Sequence, residues 1–146
     1  MKPVTFDIEA MQYLQLFERF AGAPAKDCIS QENLHFDTVQ EQLLFVVDER
    51  YIGKAIGRQG ANVKKLEQAF RKKVRIVAFS DDPCTFIQNL IAPHRVKGIA
   101  CENGVVTIEG GDTQSKALLI GRDRRRVNQL KDIVRRYFPI EEIKII

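Results

Sequence analysis

The chain is poor in the residues that metal and covalent chemistry draw on. Its three cysteines, Cys28, Cys84 and Cys101, are odd in number, far apart and form no CxxC pair. That pattern argues against a disulfide framework or a zinc site. They are expected to be small buried or half-buried thiols in a reducing cytosol. The two histidines, His35 and His94, have no partner at ligand spacing, and neither is given a role. No cysteine and histidine together make a nucleophile motif. No apolar run approaches the ~18 residues needed to span a membrane. The start, MKPVTFDIEA, lacks the basic-then-apolar pattern of a signal peptide. The expectation is a cytoplasmic protein with no membrane contact, no metal, no cofactor and no catalytic residue. Low-complexity segments are also missing. With 146 residues, 45% of them hydrophobic, the chain suits one ordinary domain or two very small ones.

What is present is unevenly distributed charge. The net charge of +4 divides into −6 over residues 1–49, +8 over 50–75, −3 over 76–115, +6 over 116–136 and −1 over the last ten. Each basic block contains one glycine-led turn. That layout points to two local anion sites more than to a uniformly basic surface.

The first block holds GKAIGRQGANVKKL, Gly53 to Leu66, with three glycines in eight residues. The second holds ALLIGRDRRRVNQL, Ala117 to Leu130. The two agree at Ile56/Ile120, Gly57/Gly121, Arg58/Arg122, Val63/Val127 and Leu66/Leu130, all at an offset of 64. The same order of elements surrounds both. Asp7–Ala21 reads as a helix with Ile8, Met11, Leu14 and Phe17 near one face. Ala25–Ser30 and Gln42–Asp48 read as strands, the second, with LLFVV at its centre, buried on both faces. Glu49–Ile56 and Ala61–Arg71 are helices, and Val74–Phe79 closes the unit. After a short link at Ser80–Asp82, Cys84–Ala92 is a helix, with Asp82 as N-cap and Pro83 at the first helical position. Val96–Cys101 and Val105–Glu109 form a hairpin about Asn103-Gly104. Asp112 caps a helix ending at Gly121, Arg125–Tyr137 is a helix, and Glu142–Ile146 is a strand. The fold class is α+β, in two halves, 1–80 and 81–146, each α-β-β-α-α-β. Each half is small for an independent core, so the two are expected to pack together.

Between two helices, Gly57-Arg58-Gln59-Gly60 offers a first glycine able to take positive φ and a second that opens a helix with no Cβ in the way. A helix start is the positive end of a dipole and carries unpaired N–H groups, so a phosphate can approach it, with Arg58 beside it. The rival glycine motifs fail on spacing: there is no GxxxxGK[ST], and Gly53, Gly57 and Gly60 give GxxxGxxG after a helix rather than GxGxxG after a strand.

A GxxG between two helices, following two strands and followed by a third, resembles the KH RNA-binding domain in its type II arrangement. Two in tandem resemble the archaeal NusA family of transcription termination and antitermination factors. The resemblance rests on FDIEAMQYLQLFERFAGAPAKDCI, LLFVVDERYIGKAIGRQGANVKKLE and VAFSDDP. It implies a non-enzymatic protein, expected to be a monomer, that binds single-stranded RNA and acts with RNA polymerase. Bacterial members carry a further polymerase-binding domain and an OB-fold domain, for which these residues leave no room. Each GxxG is implied to clamp about four nucleotides by their backbone. By position, Gly57, Arg58, Gln59 and Gly60 form the first clamp, with Ile52, Ile56 and Val63 lining an apolar groove. Asn62, Lys64 and Lys65 reach phosphates or bases, and Lys54 is counted with them. The second clamp, Gly121-Arg122-Asp123-Arg124, departs from the pattern. Arginine stands where the closing glycine belongs, and Asp123 sets a negative charge at the phosphate position. Arg122, Arg124, Arg125 and Arg126 compensate. The second clamp is expected to bind more weakly or through charge.

Other readings are plainer. Four arginines at a helix start oppose the dipole, which favours a bound anion there. Arg71-Lys72-Lys73 suits an exposed helix end. Asp81-Asp82 is explained by capping better than as a catalytic or metal-binding carboxylate pair. Phe6, Phe17, Phe45 and Phe70 fit core positions. A ribosome-assembly or translation-associated KH protein is the alternative function, and the acidic segment Asp7–Glu49 is a candidate docking face for polymerase.

Overall fold

The computed structural model describes residues 7–35 and 38–146, with side chains described for 7–31 and 41–146. Phe6 and the side chain of His35 lie outside these residues. Contacts divide the chain between Phe79 and Ser80 into two compact units.

The first unit contains α1 (Ile8–Ala21), β1 (Asp27–His35), β2 (Thr38–Asp48), α2 (Ile52–Ile56), α3 (Ala61–Phe70) and β3 (Lys73–Phe79). The second contains α4 (Pro83–Ile91), β4 (Gly98–Glu102), β5 (Val105–Glu109), α5 (Thr113–Ile120), α6 (Arg125–Arg135) and β6 (Glu142–Ile145). Each has a three-stranded mixed sheet, ordered β1-β2-β3 and β4-β5-β6. In both, the first pair is antiparallel and the second parallel. A parallel neighbour needs a crossover, and the two helices flanking each glycine turn supply it. The turn therefore lies at a fixed place outside each sheet.

Local chemistry sets most boundaries. The Asp7 carboxylate accepts from the Ala10 N–H at 2.7 Å, and Gly22, at φ 69°, ends α1. The Asp82 carboxylate accepts from the Thr85 N–H at 3.2 Å and the Thr85 hydroxyl at 2.7 Å, with Pro83 opening α4. Asp112 accepts from the Ser115 N–H at 2.8 Å. Asn103 and Gly104 both take positive φ, 53° and 79°, as a two-residue hairpin of type I′ requires.

In the first unit Phe17 stacks on Phe45 with centroids 4.4 Å apart, and Leu43, Ala55 and Leu66 join them in the core. Leu43–Val47 are all buried. In the second, Phe86 meets Tyr137 edge-on at 5.6 Å, and Val106, Ile108, Val134 and Ile143 are buried.

Two expectations change. Strands β1 and β2 are longer than Ala25–Ser30 and Gln42–Asp48, pairing from Asp27↔Val46 to His35↔Thr38. The added residues are largely polar and are held by ladder hydrogen bonds, so hydrophobic pattern does not mark them. On α1, Ile8 is 77% and Met11 50% exposed, whereas Phe17 and Ala21 are buried. Leu14 packs beside Phe17 as expected, and Tyr13 joins them against the core in place of Ile8 and Met11. Each step of three residues falls short of a full turn, so Ile8 and Phe17 lie about half a turn apart.

Candidate nucleic-acid interface

The two glycine turns share one backbone. Gly57 has φ 79°, ψ 171° and Gly121 has φ 75°, ψ 169°. Gln59 (54°, 30°) matches Asp123 (54°, 31°). Gly60 (74°, 21°) matches Arg124 (60°, 21°). The N–H of Gly57 donates to the Gly53 carbonyl at 3.1 Å, and that of Gly121 to the Ala117 carbonyl at 2.9 Å. The N–H of Gly60 donates to Gly57 O, and that of Arg124 to Gly121 O, both at 3.2 Å.

A further tie repeats at the same offset. Asn62 Nδ2 donates to the Lys54 carbonyl at 3.0 Å, and an Arg126 guanidinium nitrogen donates to the Leu118 carbonyl at 3.2 Å. Each ties the second helix to the helix before the turn. The family resemblance implies RNA contacts for Asn62 and Arg126, and the sequence carries no signal for this brace.

The glycines have different reasons. A Cβ on Gly57 would lie 2.9 Å from Asn62 Cγ and 3.0 Å from its backbone nitrogen. A Cβ on Gly121 would lie 2.9 Å from the Arg126 nitrogen, Cβ and Cγ. At these positions both conformation and space demand glycine. A Cβ on Gly60 would meet nothing within 4 Å. Only its left-handed φ favours glycine, not the crowding expected there. Arg124 therefore keeps the same turn at a cost of ~1–2 kcal/mol. Gly53 has neither constraint: it is exposed in α2, without left-handed φ and with open space around it.

The helices after these turns begin unlike three of the others. Asp7, Asp82 and Asp112 cap α1, α4 and α5. Neither α3 nor α6 has a side-chain cap or an acidic residue in its first turn. Part of the expected bare backbone is occupied within each turn, because the N–H of Gly60 bonds to Gly57 and that of Ala61 to Arg58. The remaining attraction for an anion comes from the dipole end and the cations around it.

Arg58, Gln59, Lys54, Lys64 and Lys65 are exposed about the first turn, and Arg122 through Arg126 about the second, Asp123 among them. Ile52 and Val63 are half-buried and pack on the core of the first unit, and Ile56 is half-buried. The sequence-predicted residues thus gather at two turns, one per unit. The carboxylates of Asp82 and Asp112 act as caps, held below their usual pKa by bonds from Thr85 and Ser115 respectively. Among the described residues no group of His, Cys, Asp and Glu is arranged to hold a metal, and no helix is long and apolar enough to cross a membrane.

The cysteines depart from expectation in part. Cys28 is buried and Cys84 half-buried, but Cys101 is exposed. Cys84 and Cys101, seventeen residues apart, have their sulfurs at 3.1 Å.

A model of the KH domain family matches residues 42–118, a span that includes the Gly57 turn and stops before the Gly121 turn. The chain is similar to a probable transcription termination protein NusA of Methanocaldococcus jannaschii, 30% identical over 100% of this chain and 77% of that protein. A protein of the same description from Methanococcus vannielii is 28% identical over 98% of this chain and 80% of the relative. One from Thermoplasma acidophilum is 24% identical over 99% and 97%. Among solved structures, the crystal structure of APE1850 matches with a TM-score of 0.71 at 26% identity, covering 97% of this chain and all of that one.

Proposed function

The chain belongs to the KH domain family, alongside archaeal NusA-like relatives that match it over nearly its full length, and from that premise we propose that it binds single-stranded RNA through two glycine-turn clamps and acts with RNA polymerase on nascent transcripts. At family level it is an RNA-binding transcription termination factor. The finer reading takes residues 1–80 and 81–146 as two type II KH domains. Gly57, Arg58, Gln59 and Gly60 hold the RNA backbone in the first, with Lys54, Asn62, Lys64 and Lys65 beside them and Ile52 and Ile56 facing the bases. Gly121, Arg122, Asp123, Arg124, Arg125 and Arg126 form the second clamp.

The observation that carries this reading is the repeated turn. Two helix starts without side-chain caps, 64 residues apart in sequence, share φ/ψ values within about 15° and stand among exposed cations. An anionic polymer supplies what both lack. Phosphate contacts position a strand without reading its sequence, so the clamps set register and neighbouring half-buried apolar residues meet the bases.

The test is affinity for a short single-stranded RNA against salt. Clamps that neutralise three or four phosphates should give a slope of log K on log salt of about −2 to −3. Arg58→Asp with Gln59→Asp should weaken binding at least tenfold while leaving the melting temperature within a few degrees. Weak, salt-insensitive binding, or unchanged affinity in that variant, overturns the reading. Co-purification with polymerase rather than ribosomal particles tests the transcriptional part.

A further inference from the structure

We propose that Cys84 and Cys101 are a disulfide site: an external disulfide such as oxidised glutathione converts them to an intramolecular bridge that staples α4 to β4. The RNA-binding reading does not account for this pair.

The geometry is specific. Cys84 is the second residue of α4 and Cys101 lies in β4, which is at one edge of its sheet. The Cys84 thiol donates to Cys101 Sγ at 3.1 Å. A disulfide is ~2.05 Å long, so the sulfurs need to close by only about 1 Å. Helix and strand belong to one unit and pack against each other. The bridge would therefore join surfaces already in contact and close the loop that carries residues 92–97.

Accessibility sets the order of events. Cys101 is exposed, Cys84 half-buried and Cys28 buried. The Cys101 thiolate attacks one sulfur of the external disulfide, forming a mixed disulfide and releasing the first small thiolate. The Cys84 thiolate then attacks Cys101 Sγ and releases the second. The two cysteine protons end on the two small thiols, so two protein thiols are oxidised as one external disulfide is reduced. Desolvation and the neighbouring Cys84 push the Cys101 thiol up to about 12. The thiolate is scarce at neutral pH, and exchange is slow there. Cys28, buried and likewise pushed to about 12, is the inert control.

The experiment uses the full chain in a graded ratio of oxidised to reduced glutathione at about pH 8.5, where thiolate is more abundant. Thiols are counted after denaturation and the bridge is mapped by proteolysis and mass. The expected result is a fall from three thiols to one, with Cys84 joined to Cys101 and Cys28 free. The melting temperature should rise by roughly 10 °C, reversibly on reduction. Cys84→Ser and Cys101→Ser should each abolish the rise. A stable glutathione adduct on Cys101 with Cys84 still free overturns the proposal. So do a dimer linked through Cys101, retention of all three thiols, or a bridge that leaves the melting temperature unchanged.

Discussion

Replacing each of the three glycines of the first turn by alanine separates three physical reasons for glycine. Gly57 combines φ 79° and ψ 171° with a Cβ position 2.9 Å from Asn62 Cγ and 3.0 Å from Asn62 N. Alanine there carries ~1–3 kcal/mol of backbone strain. It also pushes Asn62 off the Lys54 carbonyl, a bond worth ~1 kcal/mol. The expected cost of Gly57→Ala is about 2–4 kcal/mol. Gly60→Ala meets open space, so only the left-handed backbone counts, at ~1–2 kcal/mol. Gly53→Ala has the opposite sign. Exposed in a helix, it should gain ~1 kcal/mol, and the second unit already has alanine at the corresponding Ala117. For a domain of this size 1 kcal/mol moves the melting temperature by about 4–8 °C. Thermal melts should therefore show a fall of more than 8 °C for Gly57→Ala, a smaller fall for Gly60→Ala and a rise of several degrees for Gly53→Ala. The crowding argument has its own control. Gly57→Ala should cost less in an Asn62→Ala background, because two of its three close contacts disappear. If Gly53→Ala destabilised as much as Gly57→Ala, local backbone geometry would not be what selects these glycines.

Arg124→Gly should relieve the left-handed arginine and stabilise the second unit by ~0.5–1 kcal/mol after the unfolded-state entropy of glycine is subtracted, read as a rise of a few degrees on melting. The same variant removes one cation, so its RNA salt slope should be shallower by about 0.7 if Arg124 contacts a phosphate. The depressed carboxylates of Asp82 and Asp112 contribute stability that is full above their unfolded values near pH 4. It is lost as pH falls through the lower folded values. Melts below about pH 4 should show Asp82→Asn and Asp112→Asn converging on the parent protein, having started below it at pH 7.

Much of this fold is legible because its signals are local. Asn103-Gly104 marks a hairpin, Asp82-Pro83 opens a helix, and Gly57 and Gly121 end two others, each within a few residues of chain. The glycine turns and their cations are legible for the same reason. What escapes the sequence is set by contacts across the fold. The Asn62 and Arg126 side chains each donate to a backbone carbonyl eight residues away, and carbonyls leave no mark on composition. Cys84 and Cys101 meet only because α4 lies against β4. Strands β1 and β2 extend into polar residues whose pairing depends on the ladder rather than on a buried face. On α1, Ile8 and Met11 fall off the covered face because spacing by threes drifts around a helix, and only the position of the sheet decides which stripe is covered.

The second turn shows why a motif and a site are different things. As a pattern, Gly121-Arg122-Asp123-Arg124 is a broken copy of Gly57-Arg58-Gln59-Gly60, since its closing glycine is missing. As a backbone it is intact, because the closing position asks only for left-handed φ, and Arg124 takes it with open space around the equivalent Gly60 Cβ. The position that cannot change is the first glycine, where the Arg126 nitrogen stands 2.9 Å from a would-be Cβ, and that residue is retained. Any weakness of the second turn towards an anion must therefore come from charge and not from shape. Asp123 opposes a phosphate, and Arg126 has one guanidinium nitrogen committed to Leu118 O. Arg122, Arg124 and Arg125 are left to outweigh a single carboxylate. Asp123→Gln, which restores the first turn's residue without touching the backbone, should strengthen RNA binding and steepen its salt dependence.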